Sequence, residues 1–167
     1  MRTASHDSLP KTLGYLASKS STENALRIEA ILQVLDAGKQ MMAGLRRSLA
    51  REGLTGEGFQ VLSALADLPE LAPLSDLIAI VDTPRPFLSE TLTRLEYSGL
   101  IARQRGEVDR RMIRLQLTPA GRRAIDDARS LVQKSVWQIL GDMNDDALRG
   151  LMARCAALGR EAKAIGL

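Results

Sequence analysis

Histidine and cysteine are almost missing from this chain: of 167 residues, one is His and one is Cys. The single histidine, His6, stands near the start, so no His-based acid–base pair and no histidine zinc motif can be assembled. The single cysteine, Cys155, rules out an intramolecular disulfide framework and suits a reducing compartment. Aromatic residues are scarce as well, at 3%. The core must therefore be Leu, Ile, Val, Ala and Met, and the aromatic platforms that bind single-stranded nucleic acid by stacking are lacking. No apolar run is long enough to span a membrane, and the opening MRTASHDSLPK has no apolar centre. Neither a membrane span nor a signal peptide is expected, and the cytoplasm is the expected location. GxGxxG, Walker, HExxH and CxxC patterns are absent. The acidic pairs Asp126-Asp127 and Asp145-Asp146 suit helix starts or solvent faces better than catalysis. No enzyme, cofactor or metal site is expected.

What the chain does have is arginine, concentrated in one place. The net charge is only +3, yet the stretch from Arg94 to Arg123 holds eight arginines (94, 103, 105, 110, 111, 114, 122 and 123) against Glu96, Glu107 and Asp109, with no lysine. A guanidinium fork matches phosphate oxygens and narrow minor grooves better than a point ammonium does. A basic hairpin can also be no more than a solvated edge kept from pairing.

The local pattern gives this stretch a shape. Ile113, Leu115 and Leu117 alternate with Arg114 and Gln116, the period of a half-buried strand. Ile101 to Arg105 is a weaker strand that carries Arg103 and Arg105, and Gly106-Glu107-Val108-Asp109-Arg110 between the two supplies turn residues. Thr118-Pro119 then opens a helix, with Thr as cap and Pro in the first turn. Upstream, Leu74 to Val81 predicts a short helix, residues 82–86 (DTPRP) break it, and Phe87 to Ser98 resumes. Leu88, Leu92 and Leu95 form one core stripe, while Arg85, Ser89, Glu90, Thr93 and Arg94 occupy the opposite face, with hydroxyls and charges suited to base edges and phosphates. Two helices with a tight break and then a basic hairpin describe a helix-turn-helix with a wing.

These residues also resemble a known family, the MarR-type (multiple antibiotic resistance) transcriptional regulators. The resemblance rests on Leu54-Thr55 with Phe59, Val61, Leu62 and Leu65, and on Arg94-Leu95-Glu96 with Gly99-Leu100-Ile101 and Arg103. Asp109-Arg110-Arg111 and Leu115-Gln116-Leu117-Thr118-Pro119-Ala120-Gly121 complete it, and together they cover roughly residues 25 to 165. It implies a winged-helix homodimer on a pseudo-palindromic double-stranded DNA operator, often a repressor released by a small-molecule effector. It puts Arg111 in the minor groove at the wing tip, with Arg110 beside it as a second candidate, and Asp109 in a charge-assisted hydrogen bond that holds that arginine. It turns Arg85, Ser89, Glu90 and Thr93 to the major groove and Arg94 to a phosphate, and Arg103 and Arg105 join the DNA-binding set. Met41, Met42 and Leu45 become candidates to line an effector pocket, although core packing explains them equally well.

The expected architecture is mainly α with a small β-hairpin. A winged helix-turn-helix lobe spans about 54–120, and helices at about 22–52 and 121–165 form a dimerisation platform within one 22–167 domain. Residues 1–21, rich in Ser, Thr and Lys, read as a mobile arm. Cys155 falls on an apolar stripe with Leu148, Leu151 and Leu158, where packing and a redox role are the two readings. One departure from the family pattern stands out. Pro84 and Pro86 bracket Arg85, leaving Thr83 as the helix cap, and remove two N–H donors that could reach phosphate. Glu90 adds an acid to the face expected on DNA. These changes leave a second reading open: a ligand- or protein-binding dimer that has lost specific DNA readout.

Overall fold

The computed structural model describes residues 8–105 and 112–166. In chain order the elements are α1 (Ser8–Lys19), α2 (Thr22–Arg51), α3 (Gly56–Asp67), β1 (Ala72–Pro73), α4 (Leu74–Ile80), α5 (Arg85–Tyr97), β2 (Ile101–Arg105), β3 (Ile113–Leu117), α6 (Pro119–Leu140) and α7 (Asp145–Ala164). Helices dominate, and the strands form one antiparallel sheet of order β1-β3-β2. Among the described residues, no helix is long and apolar enough to cross a membrane.

Capping chemistry sets most of the boundaries. The Thr55 hydroxyl accepts from Gly58 N–H at 3.1 Å and starts α3, and Asn144 starts α7 by accepting from Ala147 N–H at 2.9 Å. Helices α2 and α5 end alike. Gly53 and Gly99 take φ 69°, and the N–H groups of Leu54 and Leu100 return to the carbonyls of Leu49 and Leu95. This left-handed turn satisfies the last free carbonyls, and only glycine adopts it without strain.

The core is one apolar cluster enclosed by α3, α4, α5, the sheet and the start of α6. Leu62, Leu77, Leu115 and Ile125 are its largest fully buried side chains, contributed by α3, α4, β3 and α6. The expected stripe of α5, Leu88, Leu92 and Leu95, is buried in it. The sheet register pairs Ile101 with Leu117, Arg103 with Leu115 and Arg105 with Ile113. Strand β1 was not evident in the sequence: two residues cannot display a period, and Ala72 is recognisable only by pairing with Leu115.

Two expectations need correction. Residues 8–19, expected within a mobile arm, form α1, which packs on α2 with Leu13 and Ala17 half-buried one helical turn apart. Ser, Thr and Gly14 weaken the helical signal there, while Pro10 sits in the first turn, where its missing N–H is harmless. Thr83 does not cap α5. Pro84 holds the N-cap position with no side-chain bond, and the Thr83 hydroxyl donates instead to Gln60 Oε1 at 3.2 Å. Within this chain Cys155 is exposed and α7 buries none of its residues, so packing for that thiol requires a second surface.

The tightest packing in the lobe is at Gly121. A Cβ there would lie 1.9 Å from the Leu100 carbonyl oxygen. Gly121→Ala is therefore expected to cost about 3 kcal/mol, the upper part of the range for overpacking, read as a lowered denaturant midpoint.

Candidate nucleic-acid interface

Helix α5 presents two chemistries on two sides. Its apolar stripe and Thr91, 2% exposed, lie inward. Pro86, Ser89, Glu90, Thr93, Arg94 and Tyr97 line a shallow, solvent-open hollow along its outer side. All the outward residues expected from the sequence are exposed, including Arg85. The helix begins with Pro84 O accepting from Leu88 N–H at 3.0 Å, and Pro86 falls in the first turn. The two prolines are compatible with the helix and leave its N-terminus with fewer donors.

Thr93 and Arg103 are engaged with each other. The Thr93 hydroxyl donates to the Ser89 carbonyl at 3.0 Å and accepts from Arg103 Nη2 at 3.1 Å. Arg103 Nε lies 3.1 Å from Glu96 Oε2, an ion pair by distance, but its N–H is buried and too poorly aligned for a hydrogen bond. Among the described residues no ion pair within 4 Å joins Arg94 to Glu90, although they are one turn apart. Arg105 ends strand β2 opposite Ile113. Asp109, Arg110 and Arg111 lie outside the described residues.

Other polar contacts hold the wing to the lobe. Gln104 donates to Gln116 Oε1 at 3.2 Å, Gln116 donates to Glu70 Oε1 at 3.0 Å, and Arg114 Nη1 reaches the Leu71 carbonyl at 3.5 Å. Behind it, Arg129 of α6 bridges to both Asp67 oxygens at 3.1 and 3.2 Å and to the Ser63 carbonyl at 3.1 Å. The sequence offered no signal for Arg129, because its partners are more than sixty residues away. Tyr97 was also missed. It is 94% exposed on the outer side of α5, and no apolar period marks it.

Between α2, α3, α5 and α6 lies an open cleft of about 790 Å³. Met42 and Leu45, two of the three effector candidates, stand in its wall, and Met41 does not. Both phenylalanines of the chain, Phe59 and Phe87, line it as well. A smaller hollow of about 240 Å³ separates α4, α5 and the sheet, with Arg85, Ser89 and Arg103 at its polar edge.

Residues 52–112 match the model of the MarR family. The matched stretch contains α3, α4, α5 and β2. A homoprotocatechuate degradative operon repressor of Escherichia coli is 26% identical over 120 residues, 72% of this chain and 80% of that protein. The crystal structure of a MarR family transcription regulator superposes with a TM-score of 0.71 at 23% identity, covering 86% of this chain and 95% of the other. BpsR of Bordetella bronchiseptica superposes with a TM-score of 0.58 at 20% identity, covering 76% and 98%. That structure concerns regulation of DNA binding by 6-hydroxynicotinic acid. The fold of this chain is that of MarR-type transcriptional regulators.

Among the described residues, Glu57 in the cleft wall has a perturbed carboxyl. Its own backbone N–H, then the Thr55 hydroxyl, then the charges of Arg46 and Arg94 hold its carboxyl below the ordinary glutamate range. A carboxyl with a lowered folded-state pKa stabilises above its unfolded pKa, and that contribution fades as pH falls through the folded value. The side chain is largely solvated, so the effect is small. In Glu57→Gln, the loss of thermal stability on acidification below about pH 4.5, the ordinary glutamate value, should be shallower than in wild type.

Proposed function

We propose that this chain is a sequence-specific double-stranded DNA-binding transcriptional regulator, a cytoplasmic, non-enzymatic homodimer that represses from a pseudo-palindromic operator and is released by a small ligand. The observation that carries this reading is the two-sided helix α5. Its leucines are locked into the core and its polar side is open to solvent, beside an arginine-bearing hairpin in a MarR-type fold. Arg85, Ser89 and Glu90 are assigned to the major groove, Thr93 to its edge, and Arg94 to a phosphate. Arg105, Arg110 and Arg111 are assigned to the wing's contacts, with Asp109 orienting Arg111. Residues 54–120 are the reading lobe, and 22–52 with 121–165 the platform. The 790 Å³ cleft between lobe and platform is the effector site.

Dimerisation follows from exposed apolar surface. Leu26, Leu35, Trp137, Met152 and Ile165 are each at least 49% exposed, on or next to the platform helices. Such faces in a small chain are normally covered by a second copy. In a two-fold dimer the two recognition helices would stand about 34 Å apart, one turn of B-DNA. Leu151→Asp combined with Leu158→Asp, on the α7 stripe that carries Cys155, should give monomers in sedimentation and remove operator binding.

The deciding experiment is selection of duplexes from fragmented genomic DNA, followed by titration of the best site across salt. A palindromic site with a steep salt dependence is the expected result. Arg111→Ala should weaken it by about 1–3 kcal/mol. Weak, sequence-blind binding by a folded dimer would instead favour the second reading, in which Pro84, Pro86 and Glu90 have disabled specific readout.

A further inference from the structure

Arg103 lies on the core-facing side of β2. Side chains on β2 alternate, so Arg103 shares a face with Ile101, which is 2% exposed, and it pairs across the sheet with Leu115, which is fully buried. This face packs against α5. Arg103 therefore occupies a position where the fold would accept an apolar residue, and its side chain is only 28% exposed. Its guanidinium spans one helical turn of α5, giving Nη2 to the Thr93 hydroxyl and placing Nε beside Glu96. The nitrogens are turned to the helix, and Arg85 and Ser89 close the hollow on its other side.

We infer that Arg103 is a positioning residue: it clamps the wing to the recognition helix through Thr93 and Glu96, fixing the angle at which the two enter neighbouring grooves. This rests on the DNA-reading function proposed above and reassigns one member of the DNA-binding set. The clamp also holds the Thr93 hydroxyl, whose donor goes to Ser89 O and whose lone pair receives Arg103. Thr93 is left to meet a base through its methyl group. A planar fork suits this task and a lysine does not, since one ammonium on a flexible stem cannot hold two partners a helical turn apart.

Positioning and phosphate contact give opposite results in three measurements on the full-length protein. Operator and non-operator duplexes are titrated across salt with wild type, R103K, R103Q, E96Q and T93V, and each variant's melting curve is recorded. A clamp predicts that R103K loses roughly tenfold of the operator's preference over non-operator DNA, close to the loss in R103Q. The salt slope then stays at the wild-type value, because the charge of Arg103 is already committed to Glu96. E96Q weakens operator binding as well, although removing an acid near DNA would otherwise strengthen it. If the Arg103 variants melt early, T93V carries the same test without changing any charge, and it should lose preference in the same direction.

The clamp is overturned if R103K binds like wild type, if the slope in R103Q falls by about one, or if E96Q binds more tightly; those results make Arg103 a phosphate contact. Wild-type protein that selects no sequence overturns the proposed function itself, an outcome separate from these three.

Discussion

The reading lobe depends on the junction where Leu100 meets Thr118. Three elements converge there: the end of α5, the base of the hairpin and the start of α6. The Leu100 carbonyl accepts from Thr118 N–H at 3.1 Å and from its hydroxyl at 3.2 Å, and the same hydroxyl donates to Gly99 O at 2.7 Å. Its oxygen also accepts from Gly121 N–H at 3.0 Å, so one threonine closes the hairpin and caps the next helix. The close approach of α6 leaves no room for a side chain at Gly121. Because Gly99 has already turned the chain out of α5, the wing leaves a fixed base in a fixed direction.

A fixed base does not by itself fix the far end of a hairpin, since a two-stranded ribbon twists and flexes along its length. The lobe restrains it from both sides. Strand β1 and the Glu70–Gln116–Gln104 chain hold β3 toward α4, and Arg103 holds β2 toward α5. The side-chain bonds among these are solvent-exposed and individually weak. Together they convert a flexible ribbon into an arm of set angle. This matters for a reader of DNA, because sequence discrimination falls quickly when base-contacting groups lose register.

Much of this was legible in the sequence, for identifiable reasons. The leucine stripe of α5, the alternation Ile113-Leu115-Leu117 and the caps Thr55 and Thr118 are local signals, carried by residues within one or two turns of each other. Strand β1, the Arg129–Asp67 tie and the orientation of Arg103 are not local. Arg103 reads as one more exposed wing charge until the sheet register places it opposite Leu115. Thr83 failed as a cap because Pro84 intervenes and Gln60, distant in sequence, takes its hydroxyl. The N-terminal helix was missed because Ser, Thr and Gly14 dilute a short apolar patch whose partner, α2, cannot be inferred from the patch itself.

The long helices have no full account within one chain. Helix α7 runs for 20 residues and buries none of them, and isolated helices of that length are marginal in water. The apolar sides of α2 and α6 are covered only in part, with Leu35, Met42 and Trp137 open to solvent. The second copy proposed above would cover this surface and shelter Cys155, which makes packing rather than redox chemistry the simpler role for that thiol. The same arrangement explains why the cleft lies where it does. Its walls are Met42, Leu45 and Leu49 of α2 and Val132 of α6 on one side, and Phe87, Glu90 and Arg94 of α5 on the other. A ligand wedged there would push α5 away from α2 and α6, and in the proposed dimer it would change the spacing of the two reading helices. Glu90 and Arg94 border both the cleft and the outer face of α5, so the same event would reach the residues assigned to DNA.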